Sequence, residues 1–185
     1  MRLLERNDSI LVVIDVQPGF GPPDDVVARI AWLTGVATAL GVPVVVTEEE
    51  PARNGLTAPE IVSWAPAGTT AHVKPVFGLA DSPEILAAVE ALGRRTAVLA
   101  GFETDVCVAH SALGLLDRGY RVAVVTDATG SPGELHELGL RRIRDAGATL
   151  LHAKGVYYEC VRTVEAAHAF EAANPGLVDP PGFSL

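Results

Sequence analysis

The sequence has few cysteines, few basic residues and no long apolar run, and each shortage excludes a class of protein. Its two cysteines, Cys107 and Cys160, are too few for a disulfide framework, and neither a CxxC motif nor a zinc-type Cys/His spacing occurs. The 14 Lys and Arg residues are outnumbered by 23 Asp and Glu residues, and no basic cluster is larger than Arg141-Arg142. Because nucleic acids bind basic surfaces, a formal net charge of -9 argues against a nucleic-acid partner.

Signals for membrane insertion and secretion are also missing. No apolar run in the sequence reaches the roughly 20 residues that a transmembrane helix requires, so no membrane partner is expected. The residues before the first apolar run carry charges unlike those of a signal peptide, namely Arg2, Glu5, Arg6 and Asp8. We therefore expect a cytoplasmic protein.

The residues that are present predict one globular α/β domain over 1–185. Hydrophobic residues make up 49% of the chain and charged residues 20%. Continuous apolar segments, typical of buried parallel strands, alternate with segments of helical periodicity over a core of about 8–173, and an irregular tail follows at 175–185. This pattern predicts a three-layer, doubly wound fold, a mostly parallel sheet with helices on both faces. The predicted strands are 10–14, 42–46, 97–100, 121–125 and 148–151, with an extended segment at 72–74; the predicted helices are about 25–40, 58–64, 83–92, 105–118, 134–146 and 161–173.

The most informative stretch is the apolar run Ala97–Ala100, which Gly101 interrupts and a helical pattern follows. Thr104 or Asp105 can cap that helix, so Cys107 falls in its first turn. Free backbone N–H groups and the positive end of the helix dipole lie there, and both favour a thiolate over a thiol. Position alone leaves two interpretations open, a reactive cysteine or a packed one.

Polar residues follow the ends of several predicted parallel strands, namely Asp15, the acidic run Glu48–Glu50, Cys107 and Asp127. The carboxyl ends of parallel strands share one edge of the sheet, where ligands bind in open α/β folds, so Asp15 and Cys107 should lie at one edge. Lys74, in an apolar segment, is a source of the positive charge that a crowded carboxylate and thiolate require. The alternatives are a turn-forming Asp15 and a solvated Lys74.

Three motifs resemble those of the isochorismatase-like cysteine hydrolases, a superfamily that includes nicotinamidases and N-carbamoylsarcosine amidase. They are Ile10-Leu-Val-Val-Ile-Asp-Val-Gln17, His72-Val-Lys-Pro-Val-Phe77 and Ala100-Gly-Phe-Glu-Thr-Asp-Val-Cys-Val108, and the resemblance runs from about residue 8 to residue 170. It implies a small-molecule substrate and a homo-oligomer, a dimer or larger. No cofactor is expected, since no glycine-rich phosphate loop follows the first strand.

Carried over to this sequence, the resemblance implies a catalytic triad of Asp15, Lys74 and Cys107. Asp15 would take the thiol proton and return it to the leaving amine, Lys74 would stabilise the charged pair, and Cys107 would form a thioester that water hydrolyses. The family builds its oxyanion hole from the backbone N–H groups of the cysteine and of the residue four positions earlier, here Cys107 and Glu103. The peptide bond before that residue is cis in the family, which implies a cis bond at Phe102-Glu103.

Isochorismatases that cleave a vinyl ether commonly lack this cysteine, so the resemblance with Cys107 present implies hydrolysis of an amide, ureide or carbamoyl C–N bond. Two alternatives stay open: an isochorismatase-type ether hydrolase, and a catalytically silent small-molecule-binding protein of the same fold. Nicotinamidases follow their second strand with Asp-x-His and use a later histidine to hold a metal. Here the corresponding loop has Glu49 but only Ala52 and Arg53 where an imidazole would be needed, so no metal is expected.

Four residues on loops near the predicted edge are candidates for the substrate pocket: Gln17, Phe20, Glu48 and Trp64. Phe20 and Trp64 are equally consistent with anchors of the core. For the acidic run Glu48–Glu50, a solvated loop is favoured over substrate contact.

The other histidines and the second cysteine have simpler explanations. His110 is three residues after Cys107 on a similar helix face and would compete with Asp15 as the base if it paired with the sulfur, but a partner at that spacing lies one turn deeper, so a structural position is favoured. His136, His152 and His168 are expected to be structural or exposed, and Cys160 is interpreted as a packed thiol.

Overall fold

The computed structural model describes residues 3–185. Six strands form one sheet in the order β3-β2-β1-β4-β5-β6, and every neighbouring pair is parallel, which confirms the predicted α/β class. Over residues 3–185, no helix is both long enough and apolar enough to cross a membrane. The strands are β1 Ser9–Ile14, β2 Val44–Glu49, β3 His72–Lys74, β4 Thr96–Phe102, β5 Arg121–Gly130 and β6 Thr149–Leu151; the helices are α1 Asp24–Ala39, α2 Pro51–Asn54, α3 Pro59–Trp64, α4 Pro83–Ala91, α5 Ala109–Asp117, α6 Leu135–Asp145, α7 Ala153–Val161 and α8 Val164–Ala173.

Helices cover both faces of the sheet because successive strand residues point to opposite sides. In β1, Leu11 and Val13 join a core with α1, α3, α7 and α8, which we call the α1 face. Ile10, Val12 and Ile14 join a second core with α4, α5 and α6, which we call the α5 face. Burial of every β1 residue explains why the strand is a continuous apolar run in the sequence.

The strand order creates a topological switch point between β1 and β4. The chain moves outward from β1 through β2 to β3, and then returns to β4 on the other side of β1. In open α/β sheets, ligands bind at the carboxyl ends of the strands beside such a point. Asp15 directly follows β1 and Cys107 lies in the turn after β4, so the two residues flank it.

A glycine lets β4 lie close against β1 beside the switch point. Gly101 pairs with Ile14 at a φ of 129°, and a Cβ atom added to Gly101 would lie 2.0 Å from the Ile14 carbonyl oxygen. Only glycine fits at this position. The sequence predicted that the strand ends before Gly101, but β4 continues to Phe102 because this glycine permits the close contact.

The C-terminal third has one more helix than the sequence predicted. The helix predicted over 161–173 is present as α8 and begins at Val164, and the additional helix α7 precedes it, separated by Thr163 and by Arg162 at a φ of 70°. Cys160 lies in α7 against the α1-face core, and burial raises the pKa of its thiol to about 11. This is the environment of a packed thiol.

The tail over 175–185 is irregular, as expected, but it packs against α1 rather than fraying. The indole N–H of Trp32 donates to the Leu177 carbonyl oxygen at 2.8 Å, and the Phe183 ring meets the Trp32 ring edge-on with centroids 5.3 Å apart. Arg29 Nε donates to the Pro181 carbonyl oxygen at 3.1 Å. The tail therefore forms part of the covering of the α1 face.

Candidate active site

Asp15, Lys74 and Cys107 come together at the carboxyl edge of the sheet from three separate segments. Lys74 Nζ lies 2.7 Å from Asp15 Oδ2 and 3.4 Å from Cys107 Sγ. The Asp15 and Lys74 side chains are fully buried, and Cys107 is 3% exposed. The structure thus brings together the three residues that the sequence singled out, and their catalytic roles stay a prediction.

Lys74 is buried because its ammonium group has polar partners on several sides. Besides Asp15 and Cys107, Lys74 Nζ donates to the Val76 carbonyl oxygen at 3.1 Å. Lys74 ends β3, where alternation turns its side chain inward and leaves Val73 58% exposed. The alternative of a solvated lysine is therefore wrong.

Thr47 holds the Asp15 carboxylate and is a residue that the sequence analysis missed. Thr47 Oγ1 donates to Asp15 Oδ1 at 2.8 Å, and the Asp15 backbone N–H donates to the Thr47 carbonyl oxygen at 3.1 Å. Asp15 has a φ of 49°, in a region that residues other than glycine rarely adopt. The predicted strand ends at residue 46, so Thr47 falls outside it in the sequence and nothing local marks it as a partner of Asp15, whereas β2 continues to Glu49.

Cys107 lies in a π-helical turn, Thr104–Val108, and not in the α-helical first turn that the sequence predicted. The Val108 N–H donates to the Glu103 carbonyl oxygen at 3.0 Å, five residues back along the chain. The Phe102-Glu103 peptide bond is cis. The α-helix itself begins only at Ala109.

Helix α6 and the preceding loop support this turn from outside. Ser131 Oγ donates to Asp105 Oδ1 at 2.6 Å, and Thr104 Oγ1 lies 2.9 Å from His136 Nδ1. Gly139 of α6 lies so close that a Cβ atom there would be 2.8 Å from Asp105 Cα. The turn that carries the sulfur is therefore fixed by contacts that are distant in sequence.

The environment of Cys107 favours the thiol, although the dipole of a following helix would by itself favour a thiolate. Burial is the main cause that raises the pKa of Cys107 to about 12, and the negative charge of Asp15 is the next. Lys74 opposes this shift, while a hydrogen bond with Asp15 adds to it. The sulfur therefore holds its proton at neutral pH and becomes a nucleophile only when a base removes that proton.

Gln17, a candidate for the substrate pocket, is fully buried and has another role. Its Nε2 donates to the carbonyl oxygens of Glu49 at 3.0 Å and Gly55 at 2.6 Å, and its Oε1 accepts from the Glu49 N–H at 2.7 Å. The Gln17 amide thus holds the segment 49–55 in place, and its polar atoms are used within the protein.

The other three candidates for the pocket lie on the α1 face, whereas Cys107 belongs to the α5-face core. Phe20 packs against the α1-face core, and Trp64 lies against α1, where Thr38 Oγ1 donates to its carbonyl oxygen at 2.8 Å. Glu48 is only 6% exposed, so a solvated position is wrong for this residue. Phe20 is thus an anchor of the core, whereas Trp64 is 40% exposed and covers Gly35 of α1.

The remaining polar candidates have partners outside the cluster of Asp15, Lys74 and Cys107. His110 is exposed and meets the Phe77 ring edge-on, with centroids 6.0 Å apart. Asp127 lies within β5, and its Oδ2 is 2.9 Å from His152 Nε2 and 3.4 Å from Arg29 Nε. Among residues 3–185, no group of three or more His, Cys, Asp and Glu side chains is arranged to hold a metal ion.

Comparison with known proteins identifies the family. The profile of the Isochorismatase domain matches residues 9–154. Isochorismatase domain-containing protein 2 of Xenopus laevis is 33% identical over 159 residues, which cover 83% of this chain and 76% of that protein. The probable hydrolase YcaC of Escherichia coli is 30% identical over 167 residues, which cover 86% of this chain and 80% of YcaC.

Solved structures agree with the sequence comparison. The YcaC structure from Escherichia coli, described as an octameric hydrolase of unknown specificity, has a TM-score of 0.85 at 27% identity and covers 96% of this chain and 93% of its own. YcaC from Pseudomonas aeruginosa, with hexane-2,5-diol and covalent acrylamide, has a TM-score of 0.83 at 28% identity and covers 95% and 94%. The chain therefore belongs to the isochorismatase family of hydrolases.

Proposed function

We propose that this protein is a cysteine-dependent hydrolase that cleaves the C–N bond of a small amide, ureide or carbamoyl compound through a thioester intermediate. The observation that carries the proposal is the position of Lys74 Nζ, 2.7 Å from Asp15 Oδ2 and 3.4 Å from Cys107 Sγ. Carboxylate, ammonium and sulfur are the groups that such a reaction requires. The covalent acrylamide in the Pseudomonas aeruginosa relative is chemically consistent with a nucleophile in this family.

The first half of the reaction forms the thioester. The Asp15 carboxylate takes the proton from Cys107 Sγ, and the sulfur attacks the substrate carbonyl carbon. The ammonium group of Lys74 stabilises the negative charge on the sulfur while Asp15 holds the proton. We assign the backbone N–H groups of Glu103 and Cys107 to the oxyanion, since one such donor typically lowers the barrier by about 3 kcal/mol. The C–N bond then breaks, and Asp15 returns its proton to the leaving nitrogen.

The second half releases the acid. A water molecule attacks the thioester carbonyl carbon while Asp15 takes one of its protons. The tetrahedral intermediate expels the sulfur, which recovers the proton from Asp15. The net change is amide plus water to carboxylic acid plus amine, and Cys107 ends as the thiol with which it began. The raised pKa of Cys107 fits this cycle, because the sulfur needs a base only during attack.

We extend the proposal to a homo-oligomer, which the octameric YcaC relative supports. The cytoplasmic location and the absence of a metal stay predictions from sequence. The ether hydrolase and the silent binding protein are the alternatives that the experiment below distinguishes.

The test measures ammonia or amine release from a panel of amides, ureides and carbamoyl compounds, with isochorismate as the ether control. We expect turnover of at least one C–N compound, with loss of about 10³-fold or more in Cys107→Ser and Asp15→Asn, as for a nucleophile and its base. Cys160→Ser is the matched control, because it removes the other buried thiol and should keep full activity. Mass spectrometry of the working enzyme should show an acyl group on Cys107.

Three results would count against the proposal. Activity that survives in Cys107→Ser would remove the sulfur from the mechanism. Turnover of isochorismate alone would assign the ether reaction. No turnover, together with alkylation of Cys107 that is indifferent to Asp15→Asn, would favour the silent binding protein.

A further inference from the structure

A hollow lies on the α1 face of the sheet, near the carboxyl end of β2. It has a volume of about 430 Å³, within the range of small-molecule pockets, and its walls come from β2 and the segments 56–65 and 69–71. Thr47 points to Asp15, so its strand neighbours Val46 and Glu48 point to the opposite side of the sheet. The hollow is therefore separate from the cluster of Asp15, Lys74 and Cys107.

Glu48 is the charged residue in the wall of this hollow. It is 6% exposed, and its Oε1 accepts hydrogen bonds from the Thr57 N–H and the Thr57 hydroxyl, both at 2.7 Å. In the described part of the chain, no Lys, Arg or His nitrogen forms an ion pair with Glu48, and Oε2 makes no hydrogen bond. Oε2 is not among the buried oxygens that lack a partner, so it is accessible from the hollow, where its negative charge favours a positively charged partner.

The rest of the hollow is largely apolar. Leu56 and Val62 stand at its rim with 70% and 57% of their surfaces exposed, and Val46 and Ala71 form part of its wall. Thr57, Ser63 and Thr69 add hydroxyl groups to the wall, and aliphatic side chains beside a few polar groups are typical of a small-molecule site. The hollow thus combines one carboxylate and a few hydroxyl groups with a largely apolar wall.

We propose that this hollow binds a small organic ammonium ion whose apolar body is an alkyl or aryl group. The ammonium head donates to Glu48 Oε2 and supplies the positive charge that the chain itself does not place there. The apolar body covers Leu56 and Val62 and removes them from water. The negative charge of Glu48 favours a cation, and the volume of the hollow fits a small molecule.

The test is calorimetric titration of the protein with phenethylammonium, with the neutral 2-phenylethanol as the matched ligand. We expect saturable binding of the cation and at least tenfold weaker binding of the alcohol. Glu48→Gln should weaken binding of the cation tenfold or more while Oε1 keeps its acceptor role toward Thr57. Glu50→Gln is the control, because it removes the same charge at an exposed position two residues away and should leave binding unchanged.

Two further variants keep the test decisive. Val62→Trp fills the hollow from its exposed rim and should abolish binding even if Glu48→Gln proves unstable. Cys107→Ser should bind the cation as the original protein does, which separates this site from the proposed catalytic site. Failure of the hydrolase proposal would leave that binding intact.

Three outcomes would overturn the proposal. They are the absence of saturable binding, equal affinity in Glu48→Gln, and loss of binding in Cys107→Ser, which would place the cation at the catalytic cluster. A second copy of the chain is the competing occupant. It would be shown by dissociation of the assembly in Val62→Glu, measured by light scattering, with no binding of the cation by the original protein.

Discussion

Replacing Lys74 by Met tests whether the proposed catalytic cluster is a desolvated ion pair. Methionine keeps the length and the apolar stem of the side chain but lacks the ammonium group. The change removes the cation 2.7 Å from Asp15 Oδ2, at a place where both side chains are 0% exposed. Thr47 Oγ1 still donates to the other Asp15 oxygen at 2.8 Å, so one carboxylate oxygen loses its partner and the other does not.

The expected cost follows from this burial. Removing one partner of a buried ion pair destabilises a protein by about 3–5 kcal/mol, because a charge stays behind in a medium that cannot solvate it. That is a large share of the roughly 5–15 kcal/mol by which a native domain is stable. Asp15→Asn in the Lys74→Met background removes the stranded charge while keeping an acceptor for Thr47. We expect the double variant to be more stable than Lys74→Met by about 2 kcal/mol or more.

The assay is urea unfolding of the original protein, Lys74→Met, Asp15→Asn and the double variant, analysed as a double-mutant cycle. Lys154→Met is the matched control, since Lys154 is an exposed residue at the start of α7. It should change the free energy of unfolding by less than about 0.5 kcal/mol.

A loss below about 1 kcal/mol in Lys74→Met would refute the reasoning, since exposed ion pairs contribute 0–1 kcal/mol. So would a double variant no more stable than Lys74→Met. Either result would mean that water reaches the pair. The burial that raises the pKa of Cys107 would then be doubtful as well, because the same packing produces it.

Three further predictions concern the surroundings of this cluster. In Cys160→Ser, alkylation of Cys107 by iodoacetamide should accelerate about tenfold per pH unit from pH 7 to 10 without a plateau. The reason is that burial and the charge of Asp15 raise the pKa of Cys107 to about 12. Asp15→Asn removes one cause of that shift, so the pKa of Cys107 should fall towards 9.0. A plateau below pH 9 in the protein that keeps Asp15 would contradict the argument. Thr47→Val should lower the free energy of unfolding by about 1–3 kcal/mol, because it leaves the buried Asp15 Oδ1 without its donor. Thr47→Ser keeps the hydroxyl group and should restore the stability. Equal losses in both variants would assign the effect to packing. Gly101→Ala should abolish folded, soluble protein, because its Cβ atom would lie 2.0 Å from a carbonyl oxygen of β1; Gly119→Ala, at a φ of 78° with open space around it, is the control that should still fold.

The sequence by itself determined the class of fold and the edge of the sheet at which the candidate site lies. Strands such as Ser9–Ile14 are buried on both faces, so they are continuous apolar runs and identify themselves as parallel strands. Parallel strands place their carboxyl ends together, which is why the positions of Asp15 and Cys107 after β1 and β4 were enough to predict one shared edge. The resemblance in motif then selected Lys74 as the third member, a choice that residue pattern alone did not force.

Tertiary structure alone decided which side chains meet and how deeply they are desolvated. Thr47 and Glu48 are neighbours in sequence, yet one donates to Asp15 and the other lines a hollow on the opposite face, because strand register sets which side each residue faces. The helix dipole by itself favours a thiolate at Cys107, and the sequence left open whether this cysteine is reactive or packed. The pKa of the sulfur depends instead on burial under residues distant in sequence and on the charges of Asp15 and Lys74. The pattern of apolar residues along the sequence indicates which residues are buried. The desolvation and the charges at a site, however, come from chain segments that meet only when the protein folds.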